Sequence, residues 1–223
     1  MPTPPPAELA ARIVHAARAP VTVASAYTIQ KVELRLSDDS ALATRVIRLL
    51  PPALARDVTD DVLAHRELAR LTPARPLSAF RPGPAAAAAK LRAWYAEAQR
   101  RSGVPWQLLA AVNFVESDFG RMRETSVAGA QGPMQFMPST WASYGRGDVH
   151  EPHAAILGAA RFLRAAGAPA DERAALYRYN PSAAYVDAVE RYAGRIRRNS
   201  RVFRQFYARP LVVRTPAGYR RLP

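Results

Sequence analysis

Apolar residues recur at helical spacing through much of the chain, most regularly in its second half. Between Pro105 and Ser117 they fall on one side of a helix, with Gly120 just beyond its end. Pro105 stands where a first helical position tolerates proline. The same spacing predicts further helices at Ala85–Arg101, Pro138–Tyr144, Pro152–Ala166, Asp171–Tyr179 and Ser182–Arg198. The fold class expected from this pattern is all-α, an orthogonal helical bundle.

The first third of the chain has a weaker pattern. Glu8–Arg18 and Asp57–Leu71 show helical spacing, whereas Thr28–Leu36 fits a strand about as well as a helix, with a slight preference for helix. Residues 1–6 are rich in proline and predict a disordered or polyproline arm. We therefore expect a helical extension before the bundle, with no recognisable chemistry.

A segment with four prolines and one glycine, residues 72–84, interrupts the pattern and predicts a linker or a crossover along the surface. It divides the chain into an extension with linker (1–83), a catalytic domain (84–200) and a basic C-terminal tail (201–223). The tail contains a short β-like run, Leu211–Arg214.

The formal charge of +14 indicates anionic surroundings, or else solvated helix faces in an arginine-rich chain. The absence of cysteine excludes disulfides and thiolate metal sites. His150 and His153 flank Pro152, which favours a surface loop, so no metal site is expected. No apolar run is long enough to span a membrane, and the first residues do not resemble a signal peptide.

Glu116 is the most unusual residue of the pattern, because it shares the helix face of Leu109 and Val112. Burial and the negative end of a helix both raise the pKa of a carboxyl group, which suits a general acid. The alternative is a carboxylate at a frayed helix end, turned to solvent. Asp118 would point to the other side, and Glu124 and Asp148 stay open as second acids. A mechanism with one acid is the simpler interpretation.

Residues 126–141 add small residues, two glycines and the sequence Met134-Gln135-Phe136. Small residues allow close backbone approach to an extended polymer, and the Gln135 amide suits hydroxyl and N-acetyl groups. Phe136, Met137 and Trp141 fit a core role better than sugar stacking.

Four blocks in order resemble the lytic transglycosylase domain, whose fold is related to goose lysozyme. They are Glu116-Ser117, the run Ser126–Pro138, the run Ala-Ile-Leu-Gly-Ala-Ala-Arg-Phe-Leu at 155–163, and Leu176-Tyr-Arg-Tyr-Asn180. The resemblance covers residues 86–198, and the form of the second block is most similar to actinobacterial-type members.

The resemblance implies roles for individual residues. Glu116 matches the catalytic acid and base. The positions implied to bind substrate are Ser126, Met134, Gln135, Phe136, Tyr179 and Asn180. Two departures are visible: Pro181-Ser182 replaces a glycine-containing loop, and the loop at 145–150 is too short and poor in acids for calcium.

The expected reaction is non-hydrolytic cleavage of the β-1,4 bond between N-acetylmuramic acid and N-acetylglucosamine, giving 1,6-anhydro ends. A hydrolytic muramidase is the first alternative, and a non-catalytic basic binding protein, using arginines from Arg195 to Arg204, is the second. We expect peptidoglycan strands and anionic wall polymers as partners, and no nucleic acid, metal or other cofactor. The expected protein is a monomer outside the cytoplasm or at the wall, with an export signal that this chain does not contain.

Overall fold

The computed structural model describes residues 4–222, which form eleven α-helices and one two-stranded antiparallel sheet. The helices are α1 (Pro6–Arg18), α2 (Val23–Asp38), α3 (Ser40–Ile47), α4 (Pro52–Leu71), α5 (Ala88–Ser102), α6 (Trp106–Ser117), α7 (Pro138–Tyr144), α8 (Pro152–Ala165), α9 (Glu172–Tyr179), α10 (Ala183–Arg198) and α11 (Arg201–Ala208). The strands are β1 (Val212–Thr215) and β2 (Gly218–Arg221). The all-α prediction is confirmed.

Local sequence signals account for where many helices begin. Side chains of Thr22, Asp39, Glu151, Asp171 and Ser182 each accept a hydrogen bond from a backbone N–H in the first turn of the helix that follows. Thr28–Leu36 lies within α2, as preferred. The polyproline prediction for residues 1–6 is wrong from Pro6 onward, since that proline begins α1. Residues 1–3 lie outside the described residues.

The main core surrounds α6, which is apolar on nearly all sides. Leu108, Leu109 and Val112 are fully buried, and α5, α8 and α10 pack around them. Rings of Phe114, Phe119, Tyr192 and Phe206 fill the side towards α11. A helix buried on all faces has little freedom to shift, so α6 is a rigid base for the residue near its C-terminal end.

The N-terminal extension has a small core of its own and is joined to the bundle by buried charges. Glu33 of α2 and Asp61 of α4 are fully buried, and both accept hydrogen bonds of 2.7 Å from the Arg209 guanidinium. Arg195 of α10 forms a close ion pair with Asp61. We call these four residues the charge cluster. The extension therefore packs on the bundle.

The segment predicted as a linker, residues 72–84, is fixed along the surface, and we call it the strap. It contains a short 3₁₀ turn at Leu77–Ala79, and the Arg75 N–H donates to the Arg214 carbonyl at 3.2 Å. This agrees with the surface-crossover form of the prediction. The domain boundary at residue 83 remains a prediction.

The segment predicted as a basic tail, residues 201–223, is structured in its described part. Phe203 and Phe206 of α11 belong to the main core, and Val212 pairs with Arg221 in the hairpin. Its first arginines are also engaged, because the Arg201 guanidinium donates to the Ala19 carbonyl. Arg204 is exposed.

The last turns of α10 carry the rest of the predicted basic stretch. Arg197 pairs with Glu172, and Arg198 with Asp57 and Asp60. Together with the buried Arg195, these pairs leave little free charge for phosphate groups. None of the helices in residues 4–222 is long and apolar enough to cross a membrane.

We expect Arg209→Met to lower the free energy of unfolding by about 3–5 kcal/mol, because Glu33 and Asp61 would lose their shared partner while staying buried. Denaturant unfolding monitored by circular dichroism measures the change. The control is Arg204→Met at an exposed position. Equal stabilities of the two variants would contradict a structural role for the charge cluster.

Candidate active site

Glu116 lies in the last turn of α6, half-buried and close to two tyrosines. The Tyr185 hydroxyl, in the first turn of α10, donates a 2.6 Å hydrogen bond to Glu116 Oε1. Burial, together with the charge of Glu116, raises the pKa values of Tyr179 and Tyr185 well above the ordinary tyrosine value. The structure therefore brings Glu116, Tyr179 and Tyr185 together from three helices.

Two opposing effects set the pKa of Glu116. Burial raises it to about 7, and the Tyr185 hydrogen bond acts in the lowering direction. Burial disfavours the charged form, whereas a donor to the carboxylate favours it. The carboxyl group is thus close to half-protonated at neutral pH. The alternative of a solvated carboxylate at a frayed helix end is wrong, since α6 continues through Ser117.

The other acids considered from the sequence have partners of their own. Asp118 pairs with Arg121 at 3.1 Å, and burial raises its pKa to about 6 against the lowering effect of that arginine. Glu124 pairs with Arg75 at 2.8 Å. Asp148 accepts from the backbone N–H of His150. This arrangement favours a mechanism that uses a single carboxyl group.

Two polar residues of α6 attach the second block of the site to the helix. The Asn113 side-chain amide and the Ser117 hydroxyl both donate to the Pro133 carbonyl, at 2.8 and 2.5 Å. The Tyr95 hydroxyl in turn donates to Asn113 Oδ1 at 2.5 Å. Because Asn113 and Ser117 are buried, these bonds are shielded from water and hold residues 132–135 beside the end of α6.

Within the second block, residues 131–136 form a tight turn closed by two backbone hydrogen bonds between Gln131 and Phe136, at 2.9 and 2.8 Å. Gln135 has a positive φ of 48°, a rare conformation for a residue with a side chain. Its amide donates to the Gly132 carbonyl at 3.0 Å. Gly132 is required, because a Cβ there would lie 2.1 Å from the Val149 carbonyl oxygen.

Tyr179, at the end of α9, links the predicted motifs to each other. Its hydroxyl donates to the Met134 carbonyl at 2.6 Å, and its ring packs against Phe136 and Phe162. Asn180 follows as the half-exposed residue that ends α9. Tyr179 therefore supports the turn, and the half-exposed Asn180 is its neighbour in the chain.

Met134 and Phe136 lie in the core rather than at a surface. Their exposed fractions are 0% and 2%, so in this conformation neither side chain can touch a sugar. They shape the block from within. Phe136 packs on Trp141, as the core interpretation predicted. For Met137 that interpretation is wrong, because its side chain is 41% exposed.

Ser126 begins a separate short turn. Its hydroxyl oxygen accepts from the Ala130 N–H at 2.9 Å, and its carbonyl accepts from Gly129. The side chain is half-exposed and keeps its own hydroxyl proton for donation.

The sequence did not indicate that three residues support the site through hydrogen bonds. They are Asn113, Ser117 and Tyr185. Each falls on a helix face where an aromatic or small polar residue is unremarkable. Tyr185 and Glu116 are 69 positions apart, so only the folded chain shows that they meet.

Comparison with known proteins agrees with this arrangement. Residues 94–201 match the model of the transglycosylase SLT domain family. These residues form a transglycosylase SLT domain. A relative from Thiobacillus denitrificans, described as membrane-bound lytic murein transglycosylase F, is 40% identical over 73 residues. That match spans 33% of this chain and only 15% of the relative. No solved structure matches the chain.

The resemblance to lytic transglycosylases is thereby confirmed, and its actinobacterial form stays a prediction. The SLT domain lies largely within the range 84–200 that the sequence marked as catalytic, and it contains Glu116 and every other predicted site residue. Within residues 4–222, no three side chains of histidine, aspartate or glutamate are grouped to hold a metal ion.

We expect Tyr185→Phe to raise the pKa of Glu116 further, because the variant removes the donor that stabilises its carboxylate. Carbon-detected NMR of the glutamate carboxyl signals across a pH series measures the shift, with Glu116→Gln used for assignment. Tyr177→Phe, an exposed tyrosine of α9, is the matched control. A downward shift or none in Tyr185→Phe would contradict the assigned hydrogen bond.

Proposed function

We propose that the protein cleaves peptidoglycan strands without water, at the β-1,4 bond between N-acetylmuramic acid and N-acetylglucosamine. The observation that carries the proposal is the half-buried Glu116, whose pKa of about 7 lets one carboxyl group give and take a proton at neutral pH. The SLT domain match and the name of the relative support the substrate class.

In the first step, protonated Glu116 donates to the glycosidic oxygen. The bond from that oxygen to C1 of the muramyl residue breaks, and the N-acetylglucosamine part leaves with a hydroxyl group. Positive charge then develops at C1. The neighbouring carboxylates Asp118 and Glu124 are held by Arg121 and Arg75, so the substrate's own N-acetyl group stabilises this centre.

In the second step, the Glu116 carboxylate takes the proton of the muramyl C6 hydroxyl, whose oxygen attacks C1. A 1,6-anhydro ring closes, and Glu116 is protonated again for the next turnover. Proton balance is complete without water, metal or other cofactor. Tyr185 stays hydrogen-bonded to the carboxyl group and limits how far its pKa rises.

Substrate binding is assigned to polar groups at the surface of the site. Gln135 offers its side-chain amide oxygen, Asn180 offers an amide, and Ser126 offers a hydroxyl, all suited to N-acetyl groups and hydroxyls. Met134, Phe136 and Tyr179 support the turn from behind. Such a substrate places the protein outside the cytoplasm, in contact with glycan strands and anionic wall polymers.

We expect Glu116→Gln to reduce turnover of purified peptidoglycan about a thousandfold, because the amide cannot transfer the proton. Mass spectrometry of soluble products is the measurement, and Glu67→Gln in α4, which changes an ion pair with Arg70, is the control. Muropeptides with anhydro ends, absent in Glu116→Gln, are the expected outcome. Reducing ends, one water heavier, would indicate a hydrolase instead. A wild type without any products would reject the catalytic proposal.

The rate should depend on pH through the same group. Since donation needs protonated Glu116, we expect kcat/KM to fall above about pH 7, by tenfold per pH unit at the limit. In Tyr185→Phe the falling limb should move to higher pH, in line with the loss of the lowering hydrogen bond. Initial rates in constant-ionic-strength buffers measure both profiles. If the falling limb stays at the same pH in Tyr185→Phe, the pH dependence does not come from the protonation of Glu116.

A further inference from the structure

The strap runs beside the loop that connects Glu116 to Ser126. The Gly83 N–H donates to the Arg121 carbonyl at 2.9 Å, and the Arg123 N–H donates to the Arg81 carbonyl at 3.0 Å. The Arg123 guanidinium also donates to the Pro84 carbonyl at 2.9 Å. The strap thus pairs with residues 121–123 as a short antiparallel ladder.

The Arg123 side chain passes close to the backbone at Gly83. A Cβ at that position would lie 2.2 Å from Nε of Arg123, so any larger residue would displace the guanidinium. The glycine at position 83 is explained by the close approach of the Arg123 side chain and not by a turn.

Next to the ladder, the Glu124 carboxylate is held by the strap through both oxygens. Oε1 accepts from the Arg75 guanidinium at 2.8 Å, and Oε2 accepts from the Arg81 N–H at 3.2 Å. The two side chains of the ion pair are only 25% and 13% exposed. Arg75 is itself fixed, since its guanidinium lies over the Phe80 ring at 4.5 Å.

Partial burial makes this pair different from the ion pairs on the outer surface. Exposed pairs contribute little because water screens them and both side chains must be ordered. In Arg75–Glu124 both partners are already ordered by other contacts, and the pair is partly shielded from water. We therefore expect the position of Glu124 to depend on the strap.

The backbone of Glu124 faces the catalytic side. Its carbonyl lies 3.5 Å from Nε2 of Gln135, the amide that also donates to Gly132. Ser126, another polar residue assigned to substrate, is two positions further along the chain. A shift of Glu124 would change both the acceptor beside Gln135 and the start of the Ser126 turn.

From these contacts we infer that Arg75 and Glu124 are positioning residues, through which the strap orients the Gln135 amide for the glycan. The inference rests on the proposed function for its effect on turnover. It makes the N-terminal part of the chain a working part of the site, although the SLT domain match begins only at residue 94.

The test compares Glu124→Ala, Glu124→Gln and Arg75→Ala with the wild type. Kinetics on solubilised, uncross-linked glycan strands should show KM raised about three- to tenfold with kcat nearly unchanged, since Glu116 is untouched. Arg75→Lys, which keeps the charge, should restore most of the binding. Glu67→Gln is the control, because Glu67 forms an ion pair with exposed Arg70 elsewhere in the extension.

A second readout does not depend on activity. The side-chain amide resonance of Gln135 in ¹H–¹⁵N NMR spectra should shift in Glu124→Ala and Arg75→Ala, and stay in place in the control. Thermal unfolding midpoints identify any alanine variant that has lost its fold. In that case the KM values and Gln135 resonances of Glu124→Gln and Arg75→Lys decide whether the positioning role holds.

The outcomes separate the two proposals. A wild type that cleaves, with Gln135 resonances and KM unchanged in the alanine variants, would overturn the positioning role and leave the proposed function standing. A wild type that cleaves nothing would end the proposed function, and the Gln135 resonance would still decide whether the strap orients that amide.

Discussion

The structure depends on the burial of four charges between the extension and the bundle. Glu33, Asp61, Arg195 and Arg209 come from four parts of the chain, and none is more than 5% exposed. Buried charges are tolerated only when each has its partners, so α2, α4, α10 and the residue after α11 must all be in place together. Burial raises the pKa of Glu33, and Asp61 acts in the same direction, while Arg209 and Arg195 lower it and favour the carboxylate. Phe206 lies beneath both guanidiniums and excludes water from them.

This constraint reaches the site through α10. Arg195 stands near the end of the helix in the charge cluster, and Tyr185 stands in its first turn against Glu116. Ten positions of α-helix span about 15 Å, and the helix between them is packed on α4 and α6. α10 therefore connects the charge cluster to the hydroxyl donor that limits the pKa of Glu116. The strap and the contacts of α10 are thus two separate connections between the first third of the chain and the proposed catalytic region.

Helix positions could be predicted from the sequence because they depend on local periodicity and caps. Because Glu116 shares a helix face with Leu109 and Val112, the sequence also predicted its partial burial correctly. Glu33 and Asp61 could not be recognised in this way, since a carboxylate among apolar residues looks the same whether it faces water or a distant arginine. Met134 and Phe136 illustrate the opposite error: the motif resemblance implied contact with substrate, while packing placed their side chains behind the turn. Pairings such as Arg75–Glu124 and Tyr185–Glu116 join residues 49 and 69 positions apart, beyond any local pattern.

The end of α6 shows how three adjacent residues acquire different tasks. Glu116 still belongs to the helix and faces the tyrosines, whereas Ser117 is buried and holds the Pro133 carbonyl. The backbone then enters the left-handed region at Asp118, Phe119 and Gly120, with φ of 50°, 62° and 86°. That reversal turns Asp118 onto Arg121 and away from Glu116. Because burial raises the pKa values of both carboxyl groups, burial alone does not distinguish them. The difference is that Asp118 has a cationic partner, whereas the partner of Glu116 among the described residues is the neutral hydroxyl of Tyr185. The proposed role of Glu116 as acid and base depends on this difference.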